Sequence, residues 1–151
     1  MELRRQSHCV FRCLYHLVWI PKYRYKVLVK GVDKYLEIKL REVIKFHPEI
    51  TIEELSIQPD HVHMVVSFPP RYSISRVVQI FKQNTGKQIR DKFDFIKDRY
   101  RGMNTIWSRG YFVSTVGATE EVIRNYVRYQ EKEDSGQTQL RLGLKTRKPR
   151  T

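Results

Sequence analysis

The chain has 151 residues, 40% of them hydrophobic and 12% aromatic, enough to bury one core without disulfides or a structural metal, which excludes a disordered chain. Lys and Arg outnumber Asp and Glu by 29 to 16, and the resulting net charge of +13 and pI near 9.9 call for a polyanionic partner. There is no continuous apolar span, no lipidation motif, and no signal-peptide stretch in Met1-Glu-Leu-Arg-Arg-Gln6, so a cytoplasmic, nucleoid-associated prokaryotic protein with no membrane partner is expected.

Residues 8–20 are β-branched and aromatic and predict one long strand, ended by Pro21. Cys9 and Cys13, four apart on that strand, would stand about 13 Å apart, too far to bond, and read as buried free thiols of a reducing compartment. A basic loop, Lys22-Tyr-Arg-Tyr-Lys26, follows. Leu36, Leu40, Val43 and Ile44 keep helical spacing behind a candidate Asp33 cap, and Pro48 stops that helix. Residues 50–57 predict a second strand, Gln58-Pro59-Asp60 a tight turn, and a third strand starts at His61 and closes at Pro69-Pro70.

Ser73 can cap a helix that buries Ile74, Val77, Val78, Phe81 and Ile89 and turns Arg76, Gln79, Lys82, Gln83 and Lys87 outward. Residues 105–116 predict a fourth strand with Gly110 as a bulge. Thr119, with Glu120 and Glu121 behind it, opens a last helix whose buried stripe is Val122, Ile123, Tyr126 and Val127. Residues 1–133 thus make one domain, and 134–151 a basic, mobile tail. The order βαββαβ plus a helix predicts an α+β, ferredoxin-like antiparallel sheet with two helices on one face and an added C-terminal helix carrying the tyrosine.

His61-Val62-His63 places two imidazoles on one face of a strand, about 7 Å apart at Cα, while Val62 points into the core. Such a pair is either half of a metal site or a half-exposed polar edge. Zinc would ask for further Cys or His ligands, but the cysteines lack ligand spacing and His8, His16 and His47 have no evident partner. A harder ion, Mg²⁺ or Mn²⁺, accepts oxygen ligands and keeps positions open for a phosphate. Gln130 can supply such an oxygen, and it lies one helical turn from Tyr126 on a common face. Tyr126 by itself would read as core, and Tyr129 is a neighbouring decoy; the conjunction with Gln130 and the His pair favours Tyr126 as a nucleophile.

These segments, with Trp107-Ser-Arg-Gly-Tyr-Phe-Val-Ser-Thr115 and His16-Leu-Val-Trp-Ile-Pro-Lys-Tyr-Arg24, resemble the HUH-type single-tyrosine transposases of the insertion-sequence 200/605 group over roughly residues 8–133. The resemblance implies that His61, His63 and Gln130 hold one Mg²⁺ or Mn²⁺ against a phosphate of single-stranded DNA. Tyr126 would attack, leaving a 5′-phosphotyrosine and a free 3′-OH. It also implies a homodimer that binds hairpins at transposon ends, with the tyrosine helix docked in trans. Alternatives are a relative acting on chromosomal repeated palindromes, a replication-type nickase, and, from another class, a non-catalytic nucleic-acid-binding module. Lys22, Arg24, Lys26, Lys82, Lys87 and Arg90 are the candidate DNA contacts.

Overall fold

The structure, a computed structural model, describes residues 3–6, 9–11, 13–115 and 117–136. His8, the Cys9 side chain, Val116 and the tail from residue 137 lie outside the described residues. Those described hold six strands and five α-helices, the strands being β1 (Arg4–Gln6), β2 (Cys9–Phe11), β3 (Tyr15–Trp19), β4 (Thr51–Gln58), β5 (His61–Ser67) and β6 (Phe112–Ser114). The helices are α1 (Val32–Phe46), α2 (Ile74–Gln83), α3 (Gly86–Lys92), α4 (Asp94–Arg99) and α5 (Glu120–Asp134).

The main sheet is antiparallel with strand order β4-β5-β3-β6. Its two central strands are the first and third of the four in chain order, as the ferredoxin-like arrangement requires. Alternation along the strands sorts the two faces. Leu17, Trp19, Val62, Met64 and Val66 point one way and join Leu36, Leu40, Val77 and Phe81 of α1 and α2 in a single core. The opposite face carries His16, Val18, His61, His63 and Phe112, with Val18 directly opposite both His63 and Phe112. Val18 is fully buried although it points away from that core, because α5 lies over its face.

Several boundaries differ from the sequence reading. The predicted strand 8–20 is two: β2 pairs with β1, and only β3 enters the main sheet. Tyr15 is already opposite Val66, so residues before it run past Ser67, the end of β5, toward Phe68-Pro69-Pro70, where prolines cannot continue a ladder. Cys13 is a free thiol outside any strand and only half-buried. The cap of α1 is Gly31, at φ 93°, while Asp33 sits in the first turn. The helix predicted from Ser73 is capped there, Ser73 Oγ accepting from the Arg76 amide, but breaks after Gln83. Asn84 Nδ2 donates to Ile80 O and Thr85 Oγ1 to Phe81 O, so both side chains terminate the helix on its own carbonyls. Ile89 is buried from the separate α3, and α4 has no counterpart in the sequence reading because six residues are too few to show a period.

The predicted strand 105–116 shrinks to Phe112–Ser114. Its first half takes another route: Ser108 N–H donates to Ile20 O, Lys22 N–H to Ile106 O, and Pro21 bridges Trp107. Gly110 lies in this connection, outside any strand, and is therefore no bulge. The last helix starts at the Thr119 cap as predicted and runs through Asp134, one residue past the expected boundary of the domain.

Candidate active site

His63 stands in the middle of the sheet, opposite Val18 of β3 and Ser56 of β4, and His61 opens β5 opposite Gln58 of β4. Both line a cleft of about 630 Å³ with Arg24, Asp60, Ile123 and Val127. The Nδ1 of His61 lies 2.9 Å from Asp60 Oδ1, which makes Nδ1 the protonated nitrogen and leaves Nε2 with its lone pair. That hydrogen bond, reinforced by Arg24, holds the Asp60 carboxyl below the usual carboxylate range. Arg24 Nε is 3.0 Å from Asp60 Oδ2, and its second arm reaches Glu131 Oε1 on α5 at 2.9 Å. A chain of charge-assisted contacts therefore runs from the tyrosine helix to His61.

No partner for His16 is legible in the sequence, and the fold supplies one. Its Nδ1 lies 3.4 Å from His63 Nε2, so three imidazoles share this face. Burial, and then the neighbouring His16 and His61, push His63 below the usual histidine range and keep it neutral, the form that ligates metal. Among the described residues no three His, Cys, Asp or Glu side chains converge as a metal-binding set. A metal on His61 and His63 would therefore draw its further ligands from a carboxamide, water or substrate oxygen, the donor chemistry that suits Mg²⁺ or Mn²⁺.

Tyr126 and Gln130 are on one face of α5, as their spacing predicts, but neither lines the cleft of the His pair. The Tyr126 ring lies on Phe112, centroids 5.9 Å apart, and its hydroxyl is buried without a hydrogen-bond partner. Burial, then Asp134 and Tyr129, push this phenol well above the usual tyrosine range. Tyr129, the decoy, is 57% exposed. Gln130 is buried against Gly110, beside a second cleft of about 640 Å³ that also touches Lys22, Arg109 and Asp134. The carboxamide and the His pair thus line different clefts.

Asp134 anchors that end of α5. Its Oδ1 accepts from Ser108 Oγ at 2.8 Å and from Gln130 Nε2 at 3.1 Å, and its Oδ2 accepts the Tyr23 amide at 3.0 Å. Tyr23 and Arg24 both sit in the left-handed region, φ 63° and 57°, a strain that these contacts to α5 hold in place. Asp134 carried no signal in the sequence and Ser108 only its place in the Trp107–Thr115 segment, since their contact depends on which loop meets the helix end.

The candidate DNA contacts divide. Lys26 and Lys87 are exposed. Lys22 is half-buried, beside the second cleft. Lys82 points inward: its Nζ donates to Ser108 O at 2.7 Å and Gly110 O at 2.8 Å, and burial lowers it to about 8. Arg24 is engaged by Asp60 and Glu131, and Arg90 by Asp91 and the Met103 carbonyl. These three cations work inside the fold, which charge counting along a sequence cannot see.

The family model for IS200-like transposases matches residues 9–130. The chain belongs to this family. It is 31% identical to the transposase of insertion sequence element IS200 from Salmonella typhimurium over 134 residues, 89% of this chain and 87% of that protein. It is 28% identical to the ISDra2 transposase TnpA of Deinococcus radiodurans, over 86% of this chain and 92% of that one. A crystal structure from Deinococcus radiodurans R1 described as a transposase superposes with a TM-score of 0.74 at 28% identity, covering 84% of this chain and 97% of the other. The α+β sheet with its added C-terminal helix is thus the fold of an IS200-like transposase. Among the described residues no helix is long and apolar enough to cross a membrane.

Proposed function

We propose that this IS200-like transposase cleaves and rejoins single-stranded DNA at hairpin-bearing ends through Tyr126. The observation that carries the reading is the pair of imidazoles, His61 and His63, on the sheet face over which the Tyr126 helix is laid. In the reaction the Tyr126 hydroxyl oxygen attacks the scissile phosphorus and gives up its proton. The bond from phosphorus to the 3′ oxygen breaks, that oxygen leaves as a 3′-OH, and the 5′ end stays on the protein as a phosphotyrosine. Because phenol, with a pKa near 10, is a better leaving group than a sugar hydroxyl, a second 3′-OH can reverse the link and rejoin DNA without ATP.

His61, His63 and Gln130 are the residues we assign to hold Mg²⁺ or Mn²⁺. When bound, such an ion would neutralise charge on the phosphate's non-bridging oxygens. Asp60 fixes the His61 ring through Nδ1, the nitrogen a metal on Nε2 would not use. The net charge of +13, with Lys22, Lys26 and Lys87 at or near the surface, favours a phosphate backbone.

We further assign the working site to two subunits. In the single chain the Tyr126 hydroxyl is buried without a partner, and Gln130 lines a different cleft from the His pair. Docking α5 on a second copy, through the lead at Gly117-Ala118, would free the tyrosine and present it to the partner's imidazoles.

The test is adduct formation on hairpin-bearing single-stranded oligonucleotides, read as a shifted band on a denaturing gel. Wild type and Tyr129→Phe should form it with Mg²⁺ or Mn²⁺. Tyr126→Phe should not, and chelator should stop it. Adduct in Tyr126→Phe, or undiminished in chelator, refutes the mechanism. A mixed dimer of His61→Ala/His63→Ala and Tyr126→Phe chains should regain adduct, on the His-mutant chain. A verified heterodimer that stays inactive would place each site within one chain.

A further inference from the structure

We infer that Arg24 is a phosphate-binding residue of the His61/His63 cleft, with Glu131 as the internal anion that competes for it. The inference rests on the proposed action on single-stranded DNA and uses neither a metal nor Gln130. Arg24 lines the same cleft as the two imidazoles. Its Nε donates to Asp60 Oδ2 at 3.0 Å, and the other oxygen of that carboxylate meets His61 Nδ1 at 2.9 Å. One carboxylate therefore fixes the guanidinium and the first imidazole relative to each other.

A guanidinium presents several N–H donors in one plane and no acceptor, a fork that matches the oxygens of a phosphate. Among the described residues Nη2 of Arg24 donates to nothing, and Nη1 donates to Glu131 Oε1 at 2.9 Å. Glu131 is 45% exposed, so water screens that pair and a phosphate meeting both Nη groups can displace it. The other arginine lining the cleft, Arg124, is exposed and pairs with Glu120 along α5, so it is fixed relative to that helix and not to His61. The left-handed backbone at Tyr23 and Arg24, φ 63° and 57°, is the kind of strain that collects at sites of function.

A structural anchor and a phosphate clamp predict different signs. If Arg24 only ties α5 to Asp60, removing either member of the Arg24–Glu131 pair has the same consequence for DNA. If Arg24 receives a phosphate, Glu131 and DNA compete for its Nη groups. Glu131→Gln then frees the fork and strengthens binding, whereas Arg24→Gln removes the contact and weakens it.

The measurement is fluorescence anisotropy of the full-length Tyr126→Phe protein, which cannot capture DNA covalently, in the presence of chelator. The probes are a labelled hairpin oligonucleotide with a single-stranded flank and the same hairpin without it. Arg24→Gln should weaken binding of the flanked hairpin about 10-fold or more, the scale of a charge-assisted fork, and leave the bare hairpin within about 2-fold. Glu131→Gln should tighten the flanked hairpin about 3- to 5-fold, the scale of a partly exposed ion pair, and the gain should vanish in an Arg24→Gln background. Glu133→Gln makes the same charge change on the same helix but touches Tyr129 instead of Arg24, and should change affinity less than about 2-fold. Thermal unfolding reports whether each variant is folded, and if Arg24→Gln is not, the sign for Glu131→Gln against Glu133→Gln decides. Weaker binding in Glu131→Gln makes the pair a structural anchor and refutes the inference. Unchanged affinity in Arg24→Gln, equal losses on both probes, or a gain in Glu131→Gln that survives without Arg24 or is matched by Glu133→Gln refutes it as well. All of these leave adduct formation through Tyr126 standing. If the parent protein binds both probes equally, the single strand does not enter the cleft, and the inference falls together with the proposed substrate.

Discussion

Gly110→Ala probes the corner where the loop before β6 meets α5. An ideal Cβ at residue 110 would stand 2.2 Å from Gln130 Oε1 and 2.9 Å from Gln130 Cδ, well inside van der Waals contact. The backbone there is not in the left-handed region, so alanine meets no conformational penalty and the whole effect comes from the contact. The obstacle is the end of a flexible side chain and can move. Moving it breaks the bond from Nε2 to Asp134 in a place where only 8% of Gln130 is exposed to water. A hydrogen bond to a charged group is worth about 1.5–3 kcal/mol, and partial relaxation brings the expected loss to about 1–2 kcal/mol. At this chain length that lowers Tm by about 2–8 °C. In a Gln130→Ala background the obstacle is absent, and Gly110→Ala should change stability by less than about 0.5 kcal/mol. Gly117→Ala, where an ideal Cβ meets nothing within 4 Å, is the neutral control. Thermal and urea denaturation of the four members of the cycle measure this. Equal losses in both backgrounds would show that Gln130 is not what the new methyl group meets.

Tyr126→Phe removes a buried hydroxyl that has no partner, so the folded protein should be as stable as wild type or more stable by up to about 2 kcal/mol. A loss above about 1 kcal/mol in thermal unfolding would mean that the hydroxyl is bonded. The Lys82 ammonium, lowered to about 8 from an ordinary value of 10.5, makes the unfolded chain bind more protons than the folded one between those values. Its contribution to stability therefore rises from pH 8 to about 10.5, and Lys82→Met should flatten the denaturation profile in that window. An unchanged profile would refute the assignment. Binding to single-stranded hairpin DNA should weaken with salt, with a log–log slope of about −0.7 per phosphate neutralised. Lys26→Ala and Lys87→Ala should each make that slope shallower, whereas Lys82→Met, whose Nζ is bound to two carbonyls, should leave it unchanged.

The local periods of this chain were enough to read its architecture. Alternation around Val62 and helical spacing at Leu36-Leu40-Val43 and Val77-Val78-Phe81 report burial on one face. Those faces are the core that joins the main sheet to α1 and α2. The same alternation put His61 and His63 on one side of a strand, and helical spacing put Tyr126 and Gln130 on one side of α5. Each of these is a relation among near neighbours, so the covalent geometry of one element suffices.

Contacts between distant segments followed no local rule. His16 meets His63 only because β3 pairs with β5 in one register, 47 residues apart in the chain. Lys82 reads as one more cation on a polar helix face until the 105–111 connection lays two carbonyls over it. The break at Asn84-Thr85 and the shortening of the last strand arise the same way, from backbone groups satisfied by side chains or by a distant loop. Asp134, which composition groups with the tail, holds α5 through Tyr23 and Ser108, residues 111 and 26 positions away. Burial and hydrogen-bond satisfaction are summed over the folded chain, so the partners of His16, Lys82 and Asp134 were decided by tertiary structure alone.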